Sequence, residues 1–227
     1  MDGRRAAILD TIGIDRFVPR SPAPGSPAAA TPAAGADPRA SMDWDALQAE
    51  VAPCTRCGLA ATRTRTVFGV GDRAARWFVV GEAPGADEDR QGEPFVGRAG
   101  QLLNSMLRGT GLSREQVFIA NVLKCRPPGN RDPNPEEVRS CMPFLHRQIA
   151  LVNPALILCV GRIAAQNLLG TDTPIGKLRG TVHRLEPFGI PVVVTYHPAY
   201  LLRSPGEKRK AWDDLKFAMG VARGDRA

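Results

Sequence analysis

The chain has 227 residues, 43% hydrophobic and 23% charged, which is typical of a globular protein with one medium-sized domain. Its net charge is +7, and most of that excess lies outside residues 2–39, which hold five arginines and four aspartates. A basic domain favours a polyanionic partner such as nucleic acid, with an ordinary basic enzyme as the alternative. The chain contains no run of about 18 apolar residues, which excludes a membrane-spanning helix.

The first 41 residues are predicted to form a disordered tail. Residues 19–41 contain six prolines and eight alanines, a composition typical of a semi-extended linker. Before them, Ile8, Leu9 and Ile12 could line one face of a short helix that binds a protein partner. Asp10 and Asp15 interrupt this apolar stretch, so we expect no signal peptide and a protein of the bacterial cytosol.

From residue 42 to residue 227 the sequence predicts one folded domain. Trp44, Leu47 and Val51 have helical spacing, and strands then alternate with helices. The predicted strands are 77–81, 117–123, 155–160 and 191–196, and the predicted helices are 99–109, 135–151, 162–169 and 208–222. Such alternation predicts an α/β protein with a parallel sheet and helices on both faces. Functional loops of these sheets gather at the carboxyl ends of the strands, which here are followed by 81–98, 121–134 and 196–203.

The loop that follows the first strand is rich in both glycine and carboxylates. It reads GEAPGADEDRQGEPF over residues 81–95. Glycine-rich loops after strands often bind phosphate, but five carboxylates against Arg90 alone should repel it. The loop also lacks the spacings of dinucleotide and nucleoside triphosphate sites, so a nucleotide-dependent oxidoreductase is disfavoured.

Cysteines in the cytosol stay reduced, so the five in this chain are better candidates for ligands or core residues than for disulfides. Cys54 and Cys57 form a CxxC motif, and Cys125 and Cys141 flank a long loop. Four cysteines in this order can hold zinc or an iron–sulfur cluster, and the spacing alone does not choose between them. Cys159 lies in an apolar strand and is predicted to be a core residue.

Four stretches together resemble the family 4 uracil-DNA glycosylases, the iron–sulfur class. They are GEAPGADEDRQGEPFVGRAGQLLN at 81–104, NVLKCRPPGNRDP at 121–133, the CxxC at 54–57 and HPAYLLR at 197–203. The resemblance extends from about residue 42 to the end. It implies a three-layer α/β/α sandwich with a central four-stranded parallel sheet, and hydrolysis of the bond between uracil and deoxyribose without a lyase step. It also implies a [4Fe–4S] cluster, with zinc as the less favoured occupant, on Cys54, Cys57, Cys125 and Cys141.

The acidic loop suits this chemistry because cleavage of a glycosidic bond builds positive charge on the sugar. From the resemblance and the chemistry together, Glu82 and Glu88 are the candidates to activate water, since alanine at position 83 cannot do so. Backbone N–H groups at Gly81 and Ala83 could hydrogen-bond the base. Phe95 is predicted to stack on a uracil flipped out of the duplex.

Three further residues complete the predicted pocket. Asn121 can accept a hydrogen bond from N3–H of uracil and donate one to O4, a pattern that cytosine reverses. His197 can donate to O2 as uracil leaves as an anion. Asn130 matches the family motif and is a further candidate for ordering the base site.

The remaining predictions concern DNA and partners. Leu201 is the candidate wedge into the base stack, and Arg203 is the candidate contact to a phosphate. We expect a monomer that binds uracil-containing DNA, is associated with the nucleoid when it acts, and binds no membrane. The alternatives are a non-catalytic iron–sulfur DNA-binding module and a glycosylase for another deaminated base.

Overall fold

A computed structural model describes residues 37–225, so the predictions for residues 1–36 lie outside the described part. Residues Pro38–Ser41, counted above with the disordered tail, form a 3₁₀ turn. Arg39 in this turn is buried, with its guanidinium 4.7 Å from the ring centre of Phe144 and bonded to the carbonyl of Ser140. The boundary at residue 42 was therefore wrong, because the ordered chain already begins before it.

Six strands form one sheet within the described residues. They are β1 (Val70–Gly71), β2 (Trp77–Gly81), β3 (Phe118–Asn121), β4 (Leu156–Val160), β5 (His183–Leu185) and β6 (Ile190–Thr195). The sheet order is β1-β3-β2-β4-β6-β5, in which the four central strands are parallel and the two short edge strands are antiparallel. The predicted four-stranded parallel sheet is confirmed as the centre of a mixed six-stranded sheet.

The helices cover both faces of this sheet. They are α1 (Trp44–Val51), α2 (Ala86–Gln91), α3 (Arg98–Gly109), α4 (Pro135–Val152), α5 (Arg162–Leu169), α6 (Ile175–Leu178), α7 (Pro198–Arg203) and α8 (Lys208–Arg223). Short 3₁₀ turns also lie at Gly58–Ala61, Arg114–Gln116, Pro128–Asn130 and Pro205–Glu207. Among these residues no helix combines the length and apolar character that a membrane crossing requires.

Two apolar layers enclose the sheet because alternate strand residues point to opposite faces. On one side, Phe78 and Val80 of β2 pack with residues of α1, α4 and α5. On the other side, Trp77 and Val79 pack with residues of α3 and α8. Cys159 is fully buried in the first of these layers, which confirms its assignment to the core.

The start of α4 follows from its sequence. Pro135 occupies the first turn, where its missing N–H costs nothing, and the backbone N–H of Asn134 donates to Glu137 Oε2 at 2.8 Å. The Glu137 carboxylate also accepts hydrogen bonds from two guanidinium nitrogens of Arg131, at 2.6 and 2.9 Å. The helix start thus fixes the loop between β3 and α4, which borders the site described next.

Candidate functional site

A cleft of about 380 Å³ opens at the carboxyl ends of the parallel strands. It is lined by the loops that follow β2, β3 and β6, which are the three loops that the strand pattern selects. Both Ala83 and Pro84 contribute to one wall, and Tyr200 and Arg203 of α7 contribute to another. The cleft thus collects side chains from three separate parts of the sequence.

Asn121 forms the floor of this cleft. Its side chain is 1% exposed, and its Oδ1 has no hydrogen-bond partner among the described residues. A buried acceptor without a partner is unfavourable, so it marks a place for a ligand donor. Gly81 makes room for this amide, since a Cβ there would lie 2.3 Å from Asn121 Oδ1 and 2.7 Å from the Phe95 ring.

Phe95 provides an aromatic wall next to Asn121. The residue is 7% exposed, and its ring centre lies 5.7 Å from that of His197. Its backbone has a φ of 55°, a left-handed conformation that is strained for a bulky residue. Gly100 permits it, because a Cβ at that position would lie 1.7 Å from the Phe95 carbonyl oxygen.

Arg114 holds the backbone of this strained turn. Its guanidinium donates to the carbonyl oxygen of Phe95 at 3.3 Å and to that of Pro94, and it pairs with Glu93 at 2.8 Å. Arg114 was not predicted as a site residue. Its role depends on a contact across about twenty residues of sequence, which no local pattern indicates.

His197 lies at the start of α7 with a defined tautomer. Its Nδ1 accepts a hydrogen bond from the backbone N–H of Ala199 at 3.1 Å, which leaves Nε2 as the protonated nitrogen. Burial, assisted by the positive charge of Arg203, lowers the pKa of His197 to about 4. The imidazole is therefore neutral near pH 7 and can donate through Nε2–H into the cleft.

Glu82 is the carboxylate whose environment suits a general base. Burial, together with the negative charge of Asp132, raises its pKa to about 7, and the positive charge of Arg162 opposes this shift. Asp132 also lines the cleft and pairs with Arg162 at 3.0 Å. Sequence reasoning missed Asp132 and Arg162, although Asp132 stands inside the quoted NRDP motif.

Glu88 has a different environment from Glu82, although both line the cleft. Its Oε2 accepts from the N–H of Gly85 at 3.1 Å, and its Oε1 accepts from those of Val96 and Gly97 at 3.0 and 3.2 Å. A carboxylate that holds three backbone donors closes the acidic loop on itself. The catalytic role of Glu88 stays a prediction, and these three bonds favour Glu82 over Glu88 as the base.

Most of the other carboxylates in the acidic loop also have partners. Asp89 is buried and accepts from the backbone N–H groups of Thr64 and Arg65, while Asp87 pairs with Arg90. These bonds fix the shape of the loop. The glycine-rich, acidic sequence is thus explained largely by the bonds that shape the loop, whereas burial raises the pKa of Glu82.

The two residues predicted to contact DNA differ in exposure. Leu201 is 1% exposed, so the prediction that it wedges into the base stack is corrected: α7 turns it into the core. Tyr200 beside it is 36% exposed on the rim of the cleft, and Arg203 is exposed on the same wall. Asn130 lines the cleft, but its Oδ1 accepts from Arg126 Nε at 2.8 Å.

Cys54, Cys57, Cys125 and Cys141 line one cavity, as their sequence order predicts. Three parts of the fold supply them: the loop after α1, the loop after β3 and the middle of α4. Among residues 37–225, no three Cys, His, Asp or Glu side chains are arranged as a ready single-ion site. The assignment therefore rests on the shared cavity and on the chemistry of its neighbours.

That chemistry suits thiolate ligands. The Arg63 guanidinium donates to Cys125 Sγ at 3.4 Å, and the backbone N–H of Lys124 donates to Cys141 Sγ at 3.2 Å. Hydrogen bonds to sulfur of this kind accompany iron–sulfur ligation. Burial raises the pKa of Cys141 to about 12, so that a bound metal must displace a proton from this thiol.

Comparisons with known proteins identify the family of the chain. The family model described as the uracil DNA glycosylase superfamily matches residues 68–216. The chain is 47% identical over 178 residues to a type-4 uracil-DNA glycosylase of Archaeoglobus fulgidus, which covers 76% of this chain and 89% of that protein. It is 45% identical over 172 residues to a type-4 uracil-DNA glycosylase of Thermotoga maritima, a match that covers 74% of this chain and 88% of that protein. A type-5 uracil-DNA glycosylase of Thermus thermophilus is 32% identical over 151 residues, a match that covers 59% of this chain and 68% of that protein.

Proposed function

The chain belongs to the type-4 uracil-DNA glycosylase family, and we propose that it excises uracil from DNA with the cleft residues in the roles that follow. The observation that carries this proposal is the unpartnered Oδ1 of Asn121 beside the Phe95 ring. That oxygen can accept from N3–H of a flipped uracil, and the amide N–H can donate to O4. Cytosine has an acceptor at N3 and a donor at position 4, so it would oppose both groups.

The hydrolytic step assigns one role to each of two residues. Glu82, with its raised pKa, takes a proton from a water molecule whose oxygen bonds to C1′ of the sugar. The bond between C1′ and N1 breaks, and its electron pair leaves with uracil as an anion. His197 donates from Nε2 to O2 of that anion, as an oxyanion donor does. The product is an abasic site, without cleavage of the DNA strand.

The four cysteines are proposed to hold a [4Fe–4S] cluster. When bound, the cluster supplies iron–thiolate bonds that cross-link the loops at 54–57 and 125 to α4. Arg63 and Lys124 provide the N–H donors to its ligands. Zinc is the less favoured occupant of the same thiols.

The surface and the ends of the chain carry the remaining proposals. Arg203 on the rim of the cleft is a candidate contact to the DNA backbone next to the flipped nucleotide. Arg179 is not available for such a contact, because it forms an ion pair with Asp214 at 2.7 Å. We further propose a cytosolic monomer that acts on chromosomal DNA, with the folded domain as the catalytic part and the N-terminal region as a segment for a protein partner.

The direct test is a gel assay with a labelled oligonucleotide that contains one uracil, followed by alkali. We expect a break at uracil, and no break when thymine or cytosine occupies that position. A protein with intact iron content that binds DNA but produces no break would contradict the proposal. In that case equal affinity for DNA with and without uracil would favour a non-catalytic binding module, and breaks at another deaminated base would favour a glycosylase of different specificity.

A further inference from the structure

The cleft and the four-thiol cavity lie at the two ends of one short segment, residues 121–125. Asn121 at its start forms the floor of the cleft, and Cys125 at its end lines the thiol cavity. Between them, Lys124 is 1% exposed, although lysine is almost never fully buried in proteins without a compensating partner. A buried lysine at this point requires an explanation that neither site alone supplies.

The side chain of Lys124 is directed back along the segment. Its Nζ donates to the main-chain carbonyl oxygen of Asn121 at 2.9 Å and to Gln148 Oε1 at 2.6 Å. Gln148 is fully buried and donates from Nε2 to the carbonyl oxygen of Phe68 at 2.9 Å. The ammonium group thus fixes the main chain of Asn121 to α4 and, through it, to the chain that precedes β1.

The backbone of the same lysine is fixed to the thiol side. Its N–H donates to Cys141 Sγ at 3.2 Å, and its carbonyl oxygen accepts from the N–H of Val67 at 2.7 Å. Both partners of the ammonium are neutral oxygens. A buried cation is stabilised by negative charge nearby, which thiolates in the adjacent cavity supply when they bind a metal cluster.

We propose that Lys124 is a positioning residue for uracil recognition. It holds the main chain of Asn121 in place and connects the position of Asn121 to the four-thiol site. This inference rests on the proposed function, because it gives the bond to the Asn121 carbonyl a role in orienting the amide below the base. The neighbouring N–H groups of Val122 and Leu123 donate to the carbonyls of Gly81 and Glu82 at 2.9 and 3.0 Å. A shift of this segment would therefore disturb both the recognition amide and the general base.

The test replaces Lys124 with methionine, which keeps an unbranched side chain that is one atom shorter and removes the ammonium. We expect inhibition by free uracil to weaken about tenfold, as for the loss of one hydrogen bond to a charged group, with excision slowed at saturating DNA. Iron content should stay at the wild-type value, because all four cysteines remain. A purely structural lysine would lower the melting temperature and leave the inhibition constant for uracil unchanged, and that result would overturn the inference.

Two further variants keep the result interpretable. Arg147, which lies next to Gln148 on α4, donates to the main-chain carbonyl of Met42 and does not line the cleft, so Arg147→Met should leave uracil inhibition unchanged. If Lys124→Met does not fold, Gln148→Met removes the second partner of the ammonium and should weaken uracil inhibition by a smaller factor; an unchanged constant there would equally contradict the inference. Wild-type excision separates the two proposals: its absence contradicts the function, whereas active wild type with unaffected variants contradicts only the role of Lys124.

Discussion

The cleft and the four-thiol cavity are neighbours that are built on opposite principles. The cleft is open, and its polar groups are left available: Asn121 Oδ1 has no partner in the described chain, and Glu82 is half-buried beside another carboxylate. The thiol cavity is lined by Val51, Leu59 and Phe144, and two of its four sulfurs, those of Cys125 and Cys141, already accept N–H donors. The first arrangement is unfavourable without a substrate, whereas the second is that of a site which holds one group permanently.

This difference suggests that the cleft serves catalysis and that the thiol cavity serves the stability of the same domain. Strained or unpaired groups persist only where the surrounding structure holds them, and they cluster at functional sites. Phe95 with its positive φ and Glu82 with its raised pKa both belong to the cleft. Variants of the cleft should therefore lose activity while the fold and the iron content remain. Variants of the thiol cavity should lose iron and stability before the chemical step is affected.

His197→Ala should have the largest effect of the cleft variants. Removal of an oxyanion donor costs about 10²–10³ in rate, and single-turnover release of uracil measures that loss directly. Melting temperature and iron content should not change. His183→Ala is the matched control, because His183 bonds the carbonyl of Leu178 and does not line the cleft. Equal rates in the two variants would remove His197 from the mechanism.

Glu82→Gln should lower the rate by about 10² and abolish its dependence on pH near 7. A base must be deprotonated to act, so wild-type activity should rise as the pH rises through about 7. His197, whose pKa is about 4, does not titrate in that range. Because the folded protein holds the Glu82 proton more tightly than the unfolded chain does, Glu82→Gln should also melt at a higher temperature at pH 8.

Glu88→Gln is the control for that experiment. It should keep the pH dependence of the wild type and melt at a lower temperature, because it weakens the bonds to the backbone N–H groups of Gly85, Val96 and Gly97. A pH profile that disappears in Glu88→Gln and persists in Glu82→Gln would reverse the assignment of the two carboxylates.

Cys141→Ser should affect the other site, with the smallest direct effect on the chemical step. We expect loss of iron, loss of the broad absorption near about 400 nm and a lower melting temperature. Cys159→Ala, in the core and outside the thiol cavity, should keep the iron and the absorption. A colourless wild-type protein with stoichiometric zinc would contradict the cluster.

The sequence predicted the sheet well because its central strands are long apolar runs bounded by clear turn and cap signals. The prediction of β2 at 77–81 and of α5 at 162–169 matches the structure to the residue. The edge strands β1 and β5 were missed, since runs of two and three residues pair only through contacts distant in sequence. Length and periodicity thus decide what can be predicted.

The sequence predicted which residues belong to the candidate site, but not the hydrogen-bond partners or the orientation of each side chain. Glu82 and Glu88 are indistinguishable in the sequence, and only the folded loop gives three backbone donors to one of them. Leu201 fits a wedge by its motif, but the orientation of α7 buries it. Lys124 did carry a signal, as a charge after the apolar residues Val122 and Leu123, but only the folded chain shows that it is buried.

Single-turnover excision of uracil by Asn121→Ala is the most direct test of uracil recognition by Asn121. Loss of the amide leaves N3–H and O4 of the base without partners in the cleft, and at about 1.4 kcal/mol each this predicts a rate about 10²-fold below wild type. Iron content and melting temperature should match the wild type. Excision at the wild-type rate by this variant would contradict the account of the cleft.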